Sequence, residues 1–93
     1  MQYRIDKDTL LNTLSIWDSY LRRKIRLIAC GGTALTLMNI KESTKDIDLI
    51  IPEEREYVYL VKKLEDLGYE NTTATGWTKN KGFIFDLITV QIR

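Results

Sequence analysis

The stretch KDIDLII, residues 45–51, sets two aspartates one residue apart inside what otherwise reads as a buried strand, stopped by Pro52. Side chains alternate along a strand, so Asp46 and Asp48 point to one face while Ile47, Leu49 and Ile51 line the other. A sheet containing this strand has one face to bury and one face that must tolerate two neighbouring negative charges. Carboxylates held that close repel each other unless a cation sits between them. Their hard oxygen donors suit Mg²⁺ or Mn²⁺. A third carboxylate lies in GFIFDLITV, where Asp86 shares a strand face with Ile84, Ile88 and Val90. An isolated charge on an apolar strand face costs on the order of several kcal/mol unless paired or metal-bound. If that strand lies beside KDIDLII, three carboxylates converge on one spot. That is the layout of a two-metal phosphoryl-transfer site.

The segment before it supplies a second half. IRLIAC (25–30) reads as a short strand that runs into Gly31-Gly32, and TALTLMNI (33–40) reads as a compact helix. A strand, a glycine pair and a helix start let the backbone approach a ligand closely and aim free N–H groups at an anion. Thr33 adds a hydroxyl at the mouth. One end of such a site grips phosphates while the other holds metal. Cys30 reads as a small buried residue.

The remaining segments frame these two. Residues 7–23 carry Leu10, Leu14, Trp17 and Leu21 at steps of four, three and four, the mark of an amphipathic helix with Trp17 in the core. Asp6 or Asp8 is placed to cap it. KESTK (41–45) is a polar loop. Residues 53–68 form a helix with acids in its first turn, Tyr57, Leu60, Val61 and Leu64 on one face, and Gly68 as its stop. YENTTAT and GFIFDLITV read as two strands around a turn containing Gly76, Trp77 and Asn80, with Trp77 as hairpin packing. This order predicts a single α/β (α+β) domain over residues 1–93, a mixed β-sheet flanked by helices.

Composition narrows the chemistry. The 93 residues include no histidine and one cysteine, which excludes zinc sites and Ser-His or Cys-His nucleophile systems. Chemistry here must run on carboxylates, hydroxyls and lysines. A formal net charge of +1 gives no general pull toward nucleic acid or membrane. Arg22, Arg23, Lys24 and Arg26 read as a solvated helix end, and Lys79 and Lys81 lie where they could meet a polyanion. The start, MQYRIDKDTL, has no apolar signal-peptide core, and the longest uncharged run, residues 27–40, is too short to span a bilayer. The lone cysteine fits a reducing compartment, so the expectation is a cytoplasmic protein with no membrane partner.

GGTAL, followed by a loop, TKDIDLII and the later Asp86, resembles the nucleotidyltransferase superfold of the DNA polymerase beta type. The pattern is closest to the minimal or AbiEii-like nucleotidyltransferases often found in toxin–antitoxin pairs. The resemblance covers about residues 25–90. It implies that Gly31, Gly32 and Thr33 hold the phosphates of an NTP, that Asp46 and Asp48 bind both metals, and that Asp86 binds the catalytic metal and helps activate an acceptor hydroxyl. It also implies Mg²⁺ or Mn²⁺ as cofactor and transfer of NMP to protein, RNA or a small molecule. Thr44 and Lys45 stand where the family often has a hydroxyl and a basic residue. Gly32 replaces the serine common at the second motif position, which shifts that contact to Thr33 or the backbone. Active members carry a helical extension that holds base and acceptor, whereas this sequence stops seven residues after Asp86. A partner protein that completes the site is one expectation. An antitoxin-like binding module of the same fold, acting by association, is the alternative, and a homo-oligomer is left open.

Overall fold

A computed structural model describes residues 4–80 and 82–89; Lys81 and Val90, named above, lie outside them. In chain order the first elements are β1 (Ile5–Asp6), α1 (Lys7–Tyr20), β2 (Ile28–Ala29), α2 (Gly31–Leu37) and β3 (Ser43–Thr44). They are followed by β4 (Ile47–Ile51), α3 (Glu54–Asp66), β5 (Glu70–Asn71), β6 (Gly76–Thr78) and β7 (Phe85–Thr89). Among the described residues, five strands form one mixed sheet in the order β2-β4-β7-β6-β5, in which only the β4–β7 pair is parallel. β1 and β3 make a separate antiparallel ladder. The molecule is therefore the α/β (α+β) arrangement that the sequence predicts.

Local chemistry fixes the two long helices. The Asp6 carboxylate accepts the Thr9 N–H at 2.8 Å, which satisfies one donor that a helix start leaves free. Asp6 is the cap, and Asp8 lies inside the first turn. Leu21 leaves the helix with extended backbone, so α1 ends before residue 23, although Leu21 still packs against the core. α3 buries Leu60 and Leu64, and it closes at Gly68, whose φ of +97° suits glycine. The Tyr69 N–H then donates back to the Leu64 carbonyl at 2.9 Å.

Both helices contribute to the apolar core on one face of the sheet. Ile47, Leu49 and Ile51 of β4 and Phe85 and Leu87 of β7 are buried there with Leu10, Trp17, Leu60 and Leu64. Each such side chain contributes roughly 1.5–3 kcal/mol on burial. The Trp17 ring lies 4.6 Å from Phe85 and meets Tyr69 edge-on at 5.8 Å, and its indole N–H donates to the Tyr69 hydroxyl at 3.1 Å.

The structure corrects the expectation in three places. Gly76 and Trp77 do not form a turn. They belong to β6, where Trp77 pairs with Phe85 and is buried in the core, the packing role expected of it. The turn comes later, where the Gly82 N–H donates to the Lys79 carbonyl at 3.0 Å and Asn80 takes φ +55°. Ser43 and Thr44, expected in a loop, pair with Asp6 and Ile5. Cys30 is half-buried rather than buried, at the cap position of α2. Among the described residues, no helix is long and apolar enough to cross a membrane.

Candidate functional site

The parallel pairing of β4 with β7 places Asp48 directly beside Asp86. Because Ile47, Leu49, Phe85 and Leu87 turn toward the core, both aspartates point to the opposite, open face. Adjacent strands lie about 4.8 Å apart, so the carboxyl groups are close neighbours. The Asp48 carboxyl is raised above its ordinary range, first by burial, then by the charge of Asp86, by a hydrogen bond with Asp86, and by the charge of Asp46. The Thr75 hydroxyl donates to Asp86 Oδ1 at 3.0 Å and fixes that side of the group. Ile84 and Ile88, expected to surround Asp86 with apolar burial, are 45% and 42% exposed. Asp86 is therefore not enclosed by the isoleucines of its own strand face.

Asp46, expected to open the strand, is exposed and lies just before β4, which starts one residue later at Ile47. Its carbonyl accepts the Thr44 hydroxyl at 2.8 Å and the Thr33 hydroxyl at 3.3 Å. Its charge reaches Asp48. Among the described residues, no three Asp, Glu, Cys or His side chains are already gathered into a cation cage. The pair Asp48–Asp86 is thus brought together by the sheet, with Asp46 beside it on a loop.

The glycine segment divides its roles differently from the expectation. Gly31 has φ +53° and is exposed, and a Cβ added there would stand 3.9 Å from Asp48 Oδ2. Backbone therefore fronts the carboxylates at Gly31. Gly32 faces elsewhere, since a Cβ there would lie 2.9 Å from Thr44 Oγ1 and 3.5 Å from Lys41 Nζ. It is the glycine that lets α2 pack on β3. Thr33 is fully buried rather than at the mouth. Its hydroxyl accepts the Asp48 N–H at 2.9 Å and donates to the Asp46 carbonyl, so it clamps the Asp-x-Asp backbone. The Cys30 N–H adds a bond to the Asp48 carbonyl at 3.0 Å, which ties the start of α2 to the same strand.

Thr75 went unseen in the sequence because nothing in the polar run NTTAT distinguishes it; only the fold brings it to Asp86. Lys79, considered for a polyanion, is exposed with its ammonium 5.8 Å from the centre of the Tyr69 ring. No protein-family model matches the chain, and no curated protein matches it.

Proposed function

We propose that the chain is a metal-dependent nucleotidyltransferase, or the catalytic core of one, that moves NMP from an NTP to a hydroxyl on protein, RNA or a small molecule. The observation that carries this reading is the register pair Asp48–Asp86 on an open sheet face, with Asp46 beside it. The donor set fits Mg²⁺ or Mn²⁺: all ligating atoms are carboxylate oxygens, and Asp48, raised first by burial and then by the charge of Asp86, is a group whose ionised form a cation would favour. Asp48 on β4, Asp46 on the loop just before it and Asp86 on β7 would hold the metal. When bound, the metal would neutralise charge on the triphosphate and on the departing pyrophosphate and would make the attacking hydroxyl more acidic. Asp86 accepts the proton of that hydroxyl, and the Thr75 bond keeps one of its oxygens oriented. The exposed backbone at Gly31 leaves room for phosphates beside Asp48, while Gly32 packs against Thr44 and Thr33 holds the Asp-x-Asp backbone. A purely associating module of the same fold, such as an antitoxin-like partner, has no use for carboxylates that repel each other.

Melting in the presence of metal tests the reading. At ten times its Kd, Mn²⁺ stabilises the wild type by about 1.4 kcal/mol. That raises Tm by roughly 5–10 °C for a domain of this size. Asp48→Asn shows much less. Asp86→Asn lowers transfer from labelled NTP by roughly two orders of magnitude or more. Equal metal shifts in wild type and Asp48→Asn would remove the metal site from the proposal.

A further inference from the structure

The open face holds a second row beside the acidic one. The β2–β4 register sets Ile28 opposite Ile50, and the β4–β7 register sets Ile50 beside Ile88. Residues paired this way in a sheet project to the same face, so the three isoleucines form a line across three strands. Ile28 is 45% exposed and Ile88 42%, with Ile50 half-buried between them. The line spans two strand spacings, about 10 Å, and lies two residues, about 7 Å, from the Asp48–Asp86 row. The core occupies the other face, so these side chains are not needed to fill it.

The surroundings say what covers them. Along β4 the open face runs from the bare backbone at Gly31, across the carboxylates, to the isoleucines. An occupant must therefore tolerate, or bring a cation to, the acidic row, and present a flat apolar surface within about 7 Å of it. A second copy of this chain docked face to face would bring its own Asp46, Asp48 and Asp86 toward the same row, and like charges oppose that pairing. A nucleotide meets both demands, since its phosphates carry the metal and its base is a flat ring with two apolar faces.

We propose that Ile28, Ile50 and Ile88 form the shelf on which the base and sugar of the bound nucleotide lie, with its phosphates directed toward Gly31 across the Asp48–Asp86 pair. The inference rests on the nucleotidyltransferase reading and adds the recognition of the substrate to it. An isoleucine side chain has no polar atom, so the shelf holds a base by area alone. ATP and GTP bind within a few-fold of each other, and pyrimidine nucleotides bind less tightly.

Calorimetric titration with Mg²⁺-ATP and, separately, with Mg²⁺-tripolyphosphate tests the shelf apart from the metal site. The wild type binds ATP roughly tenfold or more tighter than tripolyphosphate, the difference being the buried base and sugar. In the double variant Ile28→Thr/Ile88→Thr, ATP affinity falls to that of tripolyphosphate, which itself changes less than twofold. Threonine keeps the β-branched shape that strands favour, and circular dichroism checks the fold. Should the double variant unfold, Ile88→Thr alone carries the test with a roughly threefold loss of ATP preference. Equal affinity of the wild type for ATP and tripolyphosphate, or full retention of ATP preference in the folded variant, overturns the shelf. Failure of the wild type to bind tripolyphosphate at all overturns the metal and phosphate reading beneath it. Self-association of the wild type that the Thr substitutions abolish also overturns the shelf, because the row is then an interface between copies.

Discussion

The Thr33 hydroxyl sits between the two ends of the Asp-x-Asp segment, taking the Asp48 N–H at 2.9 Å and giving its own proton to the Asp46 carbonyl at 3.3 Å. Both hydrogen-bonding capacities are thus used inside the protein, and the residue is fully buried. A phosphate would have to compete with two backbone groups that have no water to turn to. Thr33 acts on a ligand through the strand it holds. Thr33→Val keeps the shape and orphans the Asp48 N–H, at a cost of about 1–3 kcal/mol. Thr33→Ser keeps the hydroxyl and recovers most of that loss. Urea unfolding measures both, and the Mn²⁺-induced rise in Tm shrinks in the valine variant while surviving in the serine variant. A valine variant as stable as wild type would show that the clamp bears no load.

Legibility followed period and length. β4 and α3 were readable because alternation over five residues and helical spacing over thirteen leave few other folds for those residues. β1, β3 and β6 are two or three residues long, too short for any period, and are held by lateral pairing alone. In the site, alternation puts Asp48 on the face opposite the core, but Asp46 falls just outside the strand, and the match of Asp48 to Asp86 depends on a parallel register that no local pattern encodes. The same register aligns Ile28, Ile50 and Ile88. The two glycines look alike in sequence and differ only in what lies above them. In α2, Gly32→Ala gains up to about 1 kcal/mol of helix propensity. It also drives a methyl to 2.9 Å from Thr44 Oγ1, the hydroxyl that holds the Asp46 carbonyl. Overpacking of this kind costs about 1–3 kcal/mol, so the net effect is destabilising. Adding Thr44→Ala removes the obstructing oxygen, and a double-mutant cycle reads the relief as a favourable coupling. A coupling near zero would assign the close packing of α2 to some other neighbour.

For the molecule as a whole, Asp48, raised first by burial and then by the charge of Asp86, writes a signature into the pH dependence of stability. Asp48 titrates above its ordinary value of 3.8 in the folded protein, so the native state holds this proton more firmly than the unfolded chain. The penalty is absent below pH 3.8, grows as pH rises toward the raised folded value, and is complete above it. Asp6 works in the opposite sense: its carboxyl is lowered by the bonds from Thr9, so its contribution is present above 3.8 and lost as pH falls through the lowered value. Comparing the metal-free wild type with Asp48→Asn cancels Asp6, which both proteins share. The variant is the more stable at pH 7, and its advantage fades as pH falls toward 3.8. Saturating Mn²⁺ at pH 7 reverses the order, because the cation binds the ionised carboxylates of the wild type and finds one fewer in the variant. Urea unfolding of both proteins between pH 3.5 and 7, with and without Mn²⁺, measures the whole pattern. A stability difference that stays constant across that range would mean that the proximity of Asp48 to Asp86 costs the fold nothing, and the electrostatic reason for a cation at this site would go with it.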